Sequence, residues 1–250
     1  MYEAAWTLSY RDVQCLCRLA YVGNENNEKV SCYRSAQGHA WQVLKIKADT
    51  KTGFRAILAS GKDMNGKKVR VLAFAGSSDP MVSFTDWGLK GNTGNFVKGA
   101  GQTAQYKQAL AFAQAHAADY FVGHSLGGGL ALYCCINKSV KTATINPSPI
   151  FDEYFGTQYG TKRNTQLAIN YCTPRDMLRH GRDVAENGVR VPVHTAIGTV
   201  KVPISTALGA TPGREVEVGS VGKSEVDQHV MDFLVGFTEP RFDVIAGQTH

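Results

Sequence analysis

The residues best suited to chemistry lie in the segment YFVGHSLGGGLALYC, which runs from Tyr120 to Cys134. Its centre is a G-x-S-x-G pattern in which Gly123 and Gly127 flank Ser125. In this pattern a strand turns sharply into a helix, and a larger side chain two positions from the serine collides with the backbone. We therefore predict that Ser125 is a catalytic nucleophile. The alternative is a glycine-rich turn whose serine only caps the following helix.

A serine nucleophile needs donors for the negative charge that develops on the substrate oxygen. The helix after Ser125 begins near Leu126, so its first N–H groups and its dipole favour negative charge beside the serine. The Leu126 N–H is therefore the predicted first oxyanion donor. We expect His124 to pack on the opposite side of the turn, and it is also a candidate substrate-binding residue.

The serine also needs a base, and where this motif is catalytic an acid and then a histidine follow it along the chain. Four histidines come late enough: His180, His194, His229 and His250. We favour His229, because VDQHVMDFLVG places it at the start of a late amphipathic segment. His194 is the reserve candidate.

The acid is expected after a strand that follows the serine. The segment NYCTPRDML places Asp176 in a proline-containing turn, just past an apolar strand predicted over Gln166–Cys172. A carboxylate there can orient the imidazole and stabilise its protonated form. Asp183 is the alternative, and Asp152 is a weaker one.

The elements that must position these residues alternate between strands and helices through the middle of the chain. Strands are predicted at His39–Lys47, Gly53–Ala59, Lys67–Ala75, Asp119–Gly123, Lys141–Asn146 and Gln166–Cys172. Helices are predicted at Asp12–Ala20, Gln102–Ala118, Leu126–Lys138 and Val226–Gly236, and Val189–Val202 is rich in strand-forming residues. This order predicts an α/β fold in one domain over residues 1–250. Its central sheet is mostly parallel, with an antiparallel N-terminal meander and helices on both faces.

The composition is that of a folded protein: of 250 residues, 43% are hydrophobic and 19% are charged, with a net charge of +6. Many cations lie between Lys45 and Arg70, and we interpret them as a solvated strand edge, with attraction to acidic lipid as the alternative. The N-terminus lacks the pattern of a secretory signal peptide. We expect a cytoplasmic protein, or one exported without such a signal. The six cysteines are expected to be thiols.

Taken together, several segments resemble the class 3 lipases, which are α/β-hydrolases that cleave acyl esters of glycerides and phospholipids. The resemblance spans Gly53 to Leu234, and its segments are GFRAIL, VRVLAFAGSS, FTDW, VGHSLGGGLA, INYCTPRDML and HVMDFL. It implies that Ser77, in Phe-Ala-Gly-Ser, is the second oxyanion donor. Ala75 stands where the family often has arginine.

The resemblance also implies a lid over the site, formed by the long segment from Gly76 to Gly101. Its apolar residues are Met81, Val82, Phe84, Trp87 and Phe96. Among them Phe84 and Trp87 are the candidate substrate-binding residues.

The implied function is a serine hydrolase that cleaves carboxylic esters of lipids, a lipase or a phospholipase, without a metal or organic cofactor. The expected partners are a lipid or phospholipid substrate and a transiently contacted membrane surface, with no nucleic acid. One alternative is an injected phospholipase effector, which needs a cognate inhibitor protein in its producer. Another is a catalytically inactive lipid-binding protein with the same fold.

Overall fold

The computed structural model describes residues 6–22, 31–33, 41–76, 104–148, 150, 165–176, 190–195, 198–203, 211–223, 231, 234 and 241–243. The strands are β1 Ser31–Tyr33, β2 Trp41–Asp49, β3 Phe54–Lys62, β4 Lys68–Phe74, β5 Tyr120–His124, β6 Lys141–Ile145, β7 Ala168–Cys172, β8 Arg190–Thr195, β9 Gly198–Pro203, β10 Arg214–Glu217 and β11 Arg241–Asp243. The α-helices are α1 Tyr10–Val22, α2 Ala104–Ala115 and α3 Leu126–Lys138.

Nine of the described strands form one mixed sheet, in the order β10-β7-β6-β5-β4-β3-β2-β1-β11. Strands β1 to β4 pair antiparallel, as the predicted meander requires. Strands β4, β5, β6, β7 and β10 pair parallel. The carboxyl ends of these parallel strands therefore meet at one edge of the sheet, where an α/β fold places its ligand sites.

The two faces of the sheet carry separate hydrophobic cores, because side chains along each strand alternate between them. In β4, Val71 and Ala73 pack on the α1 face, whereas Leu72 and Phe74 pack on the face covered by α2 and α3. The fold is therefore of the predicted α/β class, with helices on both faces.

Helix α1 begins at Tyr10 because its first turn is capped by two side chains. The Ser9 hydroxyl oxygen accepts the Asp12 N–H at 3.1 Å, and the Asp12 carboxylate accepts the Ser9 N–H at 3.3 Å. This reciprocal arrangement satisfies N–H groups that have no partner within the helix. The Trp41 indole N–H also donates to Asp12, at 3.0 Å, and so joins the start of α1 to β2.

A tight turn at Asn65-Gly66 connects β3 and β4. The Asp63 N–H donates to the Lys67 carbonyl at 2.9 Å, and Gly66 has a φ of 77°. The five cysteines whose side chains are described, Cys15, Cys17, Cys134, Cys135 and Cys172, are buried thiols. No helix among the described residues is long and apolar enough to cross a lipid bilayer.

The C-terminal region agrees with the prediction in one segment and departs from it in another. The β-rich Val189–Val202 forms β8 and β9, which pair with each other in a separate two-stranded sheet. The helix predicted over Val226–Gly236 does not continue through Leu234, because Leu234 forms an antiparallel bridge with Ser220. A β-bridge needs extended backbone dihedrals, which differ from those of a helix. Most of that segment lies outside the described residues.

Candidate active site

Ser125 lies at the turn between β5 and α3, at the carboxyl edge of the sheet. Its backbone has φ 55° and ψ −128°, a conformation that residues other than glycine rarely adopt. The Ser125 N–H donates to the Ile145 carbonyl of β6 at 3.1 Å. The turn is therefore tied to the neighbouring strand, and this bond helps hold the serine in its strained conformation.

The two glycines that flank Ser125 are required by close backbone contacts. A Cβ atom on Gly123 would collide with the Gly127 carbonyl, and one on Gly127 would collide with the Phe74 carbonyl at the end of β4. The turn therefore lies against the end of β4. Ala75 and Gly76 follow β4 and lead to Ser77.

The start of α3 is built on the main chain of Ser125. The Ser125 carbonyl accepts the N–H groups of Gly128 at 2.9 Å and Gly129 at 3.2 Å. The Ser125 side chain makes no capping hydrogen bond to the helix. Ser125 thus occupies the N-cap position through its main chain, and its side chain does not cap the helix. Leu126 is the first helical residue, and N–H groups of a first turn have no acceptor within their own helix.

His124 lies on the α1 side of the turn. Its side chain is buried, and its Nδ1 atom lies 2.8 Å from the hydroxyl of Tyr21 near the end of α1. The two rings are tilted, with centroids 5.9 Å apart. His124 thus contacts α1, and its contact with substrate stays a prediction.

Asp176 follows β7 at the same edge of the sheet and is 1% exposed. Its N–H donates to the Thr173 carbonyl at 3.2 Å, which closes the turn that carries it. That turn is held in place by Asn146, at the end of β6, whose side-chain oxygen accepts the Thr173 N–H at 2.9 Å. Strands β5 and β7 are separated only by β6, which corresponds to roughly 10 Å. The structure therefore places the predicted nucleophile and acid two strands apart at one edge.

Several other predicted site residues lie outside the described residues. These are His229, Ser77, Phe84, Trp87, the alternative acids Asp152 and Asp183, and the histidines His180 and His250. Their roles stay predictions. The reserve base His194 belongs to β8, in the separate two-stranded sheet, where only the backbone is described.

Three residues at the site were missed by sequence reasoning. Besides Tyr21 and Asn146, Ser148 contacts the turn, since its N–H donates to the Ser125 carbonyl at 2.9 Å. A tyrosine on an amphipathic helix carries no sequence signal of such a role. Asn146 and Ser148 follow the end of β6, the strand next to β5. Their position after that strand was the sequence signal that could have identified them as site residues.

A mixed sheet whose parallel part carries a strained serine between a strand and a helix is typical of the α/β-hydrolase class. Residues 14–222 match the phospholipase-like family described as the Tle-like phospholipase domain, and the chain belongs to that family. The solved structure titled "Crystal structure of M37 lipase" is similar, with a TM-score of 0.57 and 12% sequence identity, over 91% of this chain and 93% of that one. No curated protein sequence matches the chain. The family supports lipid ester hydrolysis as the activity, and the structural match shows the shared fold.

Proposed function

We propose that the protein is a serine hydrolase that cleaves carboxylic ester bonds of phospholipids. The observation that carries the proposal is the strained Ser125 at the sheet edge, held against β4 by glycines and tied to β6. Backbone strain of this kind persists only where surrounding contacts enforce it, and it concentrates at functional sites. The family description of a phospholipase-like domain supports phospholipid as the substrate class.

The proposed mechanism is a two-step acyl transfer. His229 removes the proton from the Ser125 hydroxyl as its oxygen attacks the ester carbonyl, and Asp176 stabilises the resulting imidazolium. The N–H of Leu126 and Ser77 stabilise the oxyanion. When the ester bond breaks, His229 gives its proton to the leaving alcohol and an acyl-enzyme remains. Water, deprotonated by His229, then releases the fatty acid and restores Ser125.

Lipid must approach the edge of the sheet that carries Ser125. The exposed lysines Lys62, Lys67 and Lys68 lie at the opposite edge, where Lys62 of β3 pairs with Lys68 at the start of β4. Lys68 and Phe74 are the first and last residues of the seven-residue strand β4. The length of this strand, roughly 20 Å, separates the lysines from the Ser125 edge. Productive membrane contact is therefore assigned to the Ser125 edge, and these lysines serve as a solvated strand end.

Substrate class is tested by fatty-acid release from phosphatidylglycerol vesicles and from a triglyceride emulsion, at equal protein concentration. The proposal predicts release from the vesicles that disappears in Ser125→Ala, with an unchanged melting temperature. Activity on triglyceride alone would reject phospholipid as the substrate. Equal activity of the wild type and Ser125→Ala would reject serine catalysis.

A further inference from the structure

We propose that Tyr21 is a positioning residue that holds the Ser125 turn and the end of β4 at a set separation through its hydroxyl group. The proposal rests on the proposed function, because it assigns Tyr21 a part in the catalysis by Ser125. Tyr21 lies near the end of α1, more than a hundred residues before Ser125, so the contact depends on the fold and not on local sequence.

The Tyr21 hydroxyl contacts two segments of the site at once. Its oxygen lies 2.8 Å from Nδ1 of His124, the residue directly before the strained serine. It also lies close to Gly76, which follows β4, because a Cβ atom added to Gly76 would collide with it. One phenol group therefore connects α1, the serine turn and the segment that leads into Ser77.

Gly76 shows how closely these segments approach each other. A Cβ atom at this position would collide with the Tyr21 hydroxyl, and would lie 2.7 Å from the His124 carbonyl and 3.1 Å from the Cβ of Ser125. Only glycine fits between them without displacing the backbone of the turn. The segment that follows β4 thus passes close to Ser125, and the Tyr21 hydroxyl lies beside it on the α1 side.

The proton of the Tyr21 hydroxyl can be assigned from these contacts. Burial raises the pKa of Tyr21 above its ordinary value, so the phenol keeps its proton at neutral pH. The phenol proton has two acceptors within reach, Nδ1 of His124 and the His124 carbonyl oxygen. Nδ1 of His124 at 2.8 Å is better placed than the His124 carbonyl at 3.5 Å. Nδ1 of His124 is therefore the acceptor, and its imidazole carries its proton on Nε2.

This arrangement has a consequence for catalysis. Gly76 directly precedes Ser77, the predicted second oxyanion donor, and His124 directly precedes the nucleophile. Without the hydroxyl, Gly76 and His124 Nδ1 lose their common neighbour, and the donor and the nucleophile can shift relative to each other. Small displacements of this kind lower turnover by up to about 100-fold, with much less effect on the binding of a ground-state ester.

The test compares Tyr21→Phe with Tyr10→Phe, using a short, water-soluble p-nitrophenyl ester. Tyr10 is the first residue of the same helix, and its ring packs on Tyr171, roughly 16 Å from Tyr21 along the helix axis. We expect Tyr21→Phe to lower kcat roughly 10- to 100-fold with KM nearly unchanged. Tyr10→Phe should keep the wild-type kcat.

The second readout is the protonation of His124, followed by the ¹⁵N chemical shifts of its ring and assigned by the signals missing in His124→Gln. We expect an Nε2-protonated ring in the wild type, and altered shifts at Nδ1 in Tyr21→Phe but not in Tyr10→Phe. A ring protonated on Nδ1 in the wild type would overturn the assignment.

The kinetic outcomes separate this proposal from the proposed function. A wild-type kcat in Tyr21→Phe would overturn the role of Tyr21 and leave the proposed function standing. An equal loss of kcat in both tyrosine variants would do the same. Absence of Ser125-dependent hydrolysis in the wild-type protein overturns the proposed function, and it is seen before any tyrosine variant is compared.

Discussion

The side-chain oxygen of Asn146 accepts the backbone N–H of Thr173 at 2.9 Å. This bond joins the end of β6 to the turn after β7, and the same turn carries Asp176. Asn146 has a φ of 42°, a left-handed conformation that asparagine tolerates better than most residues. One residue thus ends a strand beside the serine turn and holds the loop of the predicted acid.

Replacing Asn146 by glycine should separate the role of its backbone at the end of β6 from the role of its side chain in holding the turn of Asp176. Asn146→Gly keeps the left-handed backbone accessible but leaves the Thr173 N–H without its acceptor. We expect about 1–2 kcal/mol lower stability and a kcat reduced roughly 10-fold through displacement of Asp176. The matched control is Thr142→Val, which removes a buried hydroxyl that donates to Val140 at the other end of β6. An equal kcat in both variants would show that Asn146 only stabilises the fold.

The close contact of Gly127 with β4 should make this position intolerant of any side chain. A Cβ in Gly127→Ala meets the Phe74 carbonyl, so we expect a loss of about 3 kcal/mol and of Ser125 reactivity. Gly66→Ala is the control, because Gly66 has a positive φ but has open space around its Cβ position. It should cost about 1 kcal/mol and leave activity intact. Unfolding by urea and ester hydrolysis measure the two effects, and a stable, active Gly127→Ala would contradict the contact.

The acid and base assignments are tested by three substitutions assayed in parallel. Asp176→Asn should lower kcat by about 10⁴-fold, since an amide cannot stabilise the imidazolium. His229→Ala should reduce activity to the level of Ser125→Ala. His194→Ala, in the separate β8–β9 sheet, should retain wild-type kcat. Loss of activity in His194→Ala together with a fully active His229→Ala would show that His194, and not His229, is the catalytic base.

The turn between β3 and β4 should contribute stability that depends on pH. The Thr7 hydroxyl, aided by the N–H groups of Asn65 and Lys67, lowers the pKa of Asp63. Because the pKa in the folded state lies below the unfolded value of about 3.9, this stability is present above that pH and is lost as the pH falls through the folded value.

Asp63→Asn should therefore melt a few degrees below the wild type at pH 7. The difference should shrink as the pH falls below about 4. Thermal melts from pH 7 to pH 3 measure both, and a difference that stays constant over this range would show that the charge of Asp63 contributes nothing.

Much of the fold and part of the site were predictable because local signals and the fold agree. The G-x-S-x-G pattern predicted the turn, and helix α3 has the predicted bounds, Leu126–Lys138. The apolar strands β4, β5 and β7 lie within a few residues of their predictions. Each of these elements is set by its own periodicity or by the steric needs of one turn.

What the sequence did not predict depends on contacts between distant segments. Strand β10, Arg214–Glu217, is largely charged. It forms because it pairs with β7 as the outermost strand on that side of the sheet. Strands β1 and β11 are three residues each and pair with one another. In the sequence Tyr21 is likewise an ordinary helix residue, and only the fold places its hydroxyl beside His124. Pairing and packing between distant segments leave no local pattern.

The most direct test of the central claim is covalent modification of Ser125 by a fluorophosphonate, located by peptide mass spectrometry. The account predicts one phosphonylated residue, Ser125, with labelling abolished in Ser125→Ala and strongly slowed in His229→Ala. A folded wild-type protein that stays unmodified, or that is labelled at another residue while Ser125 is untouched, would contradict it.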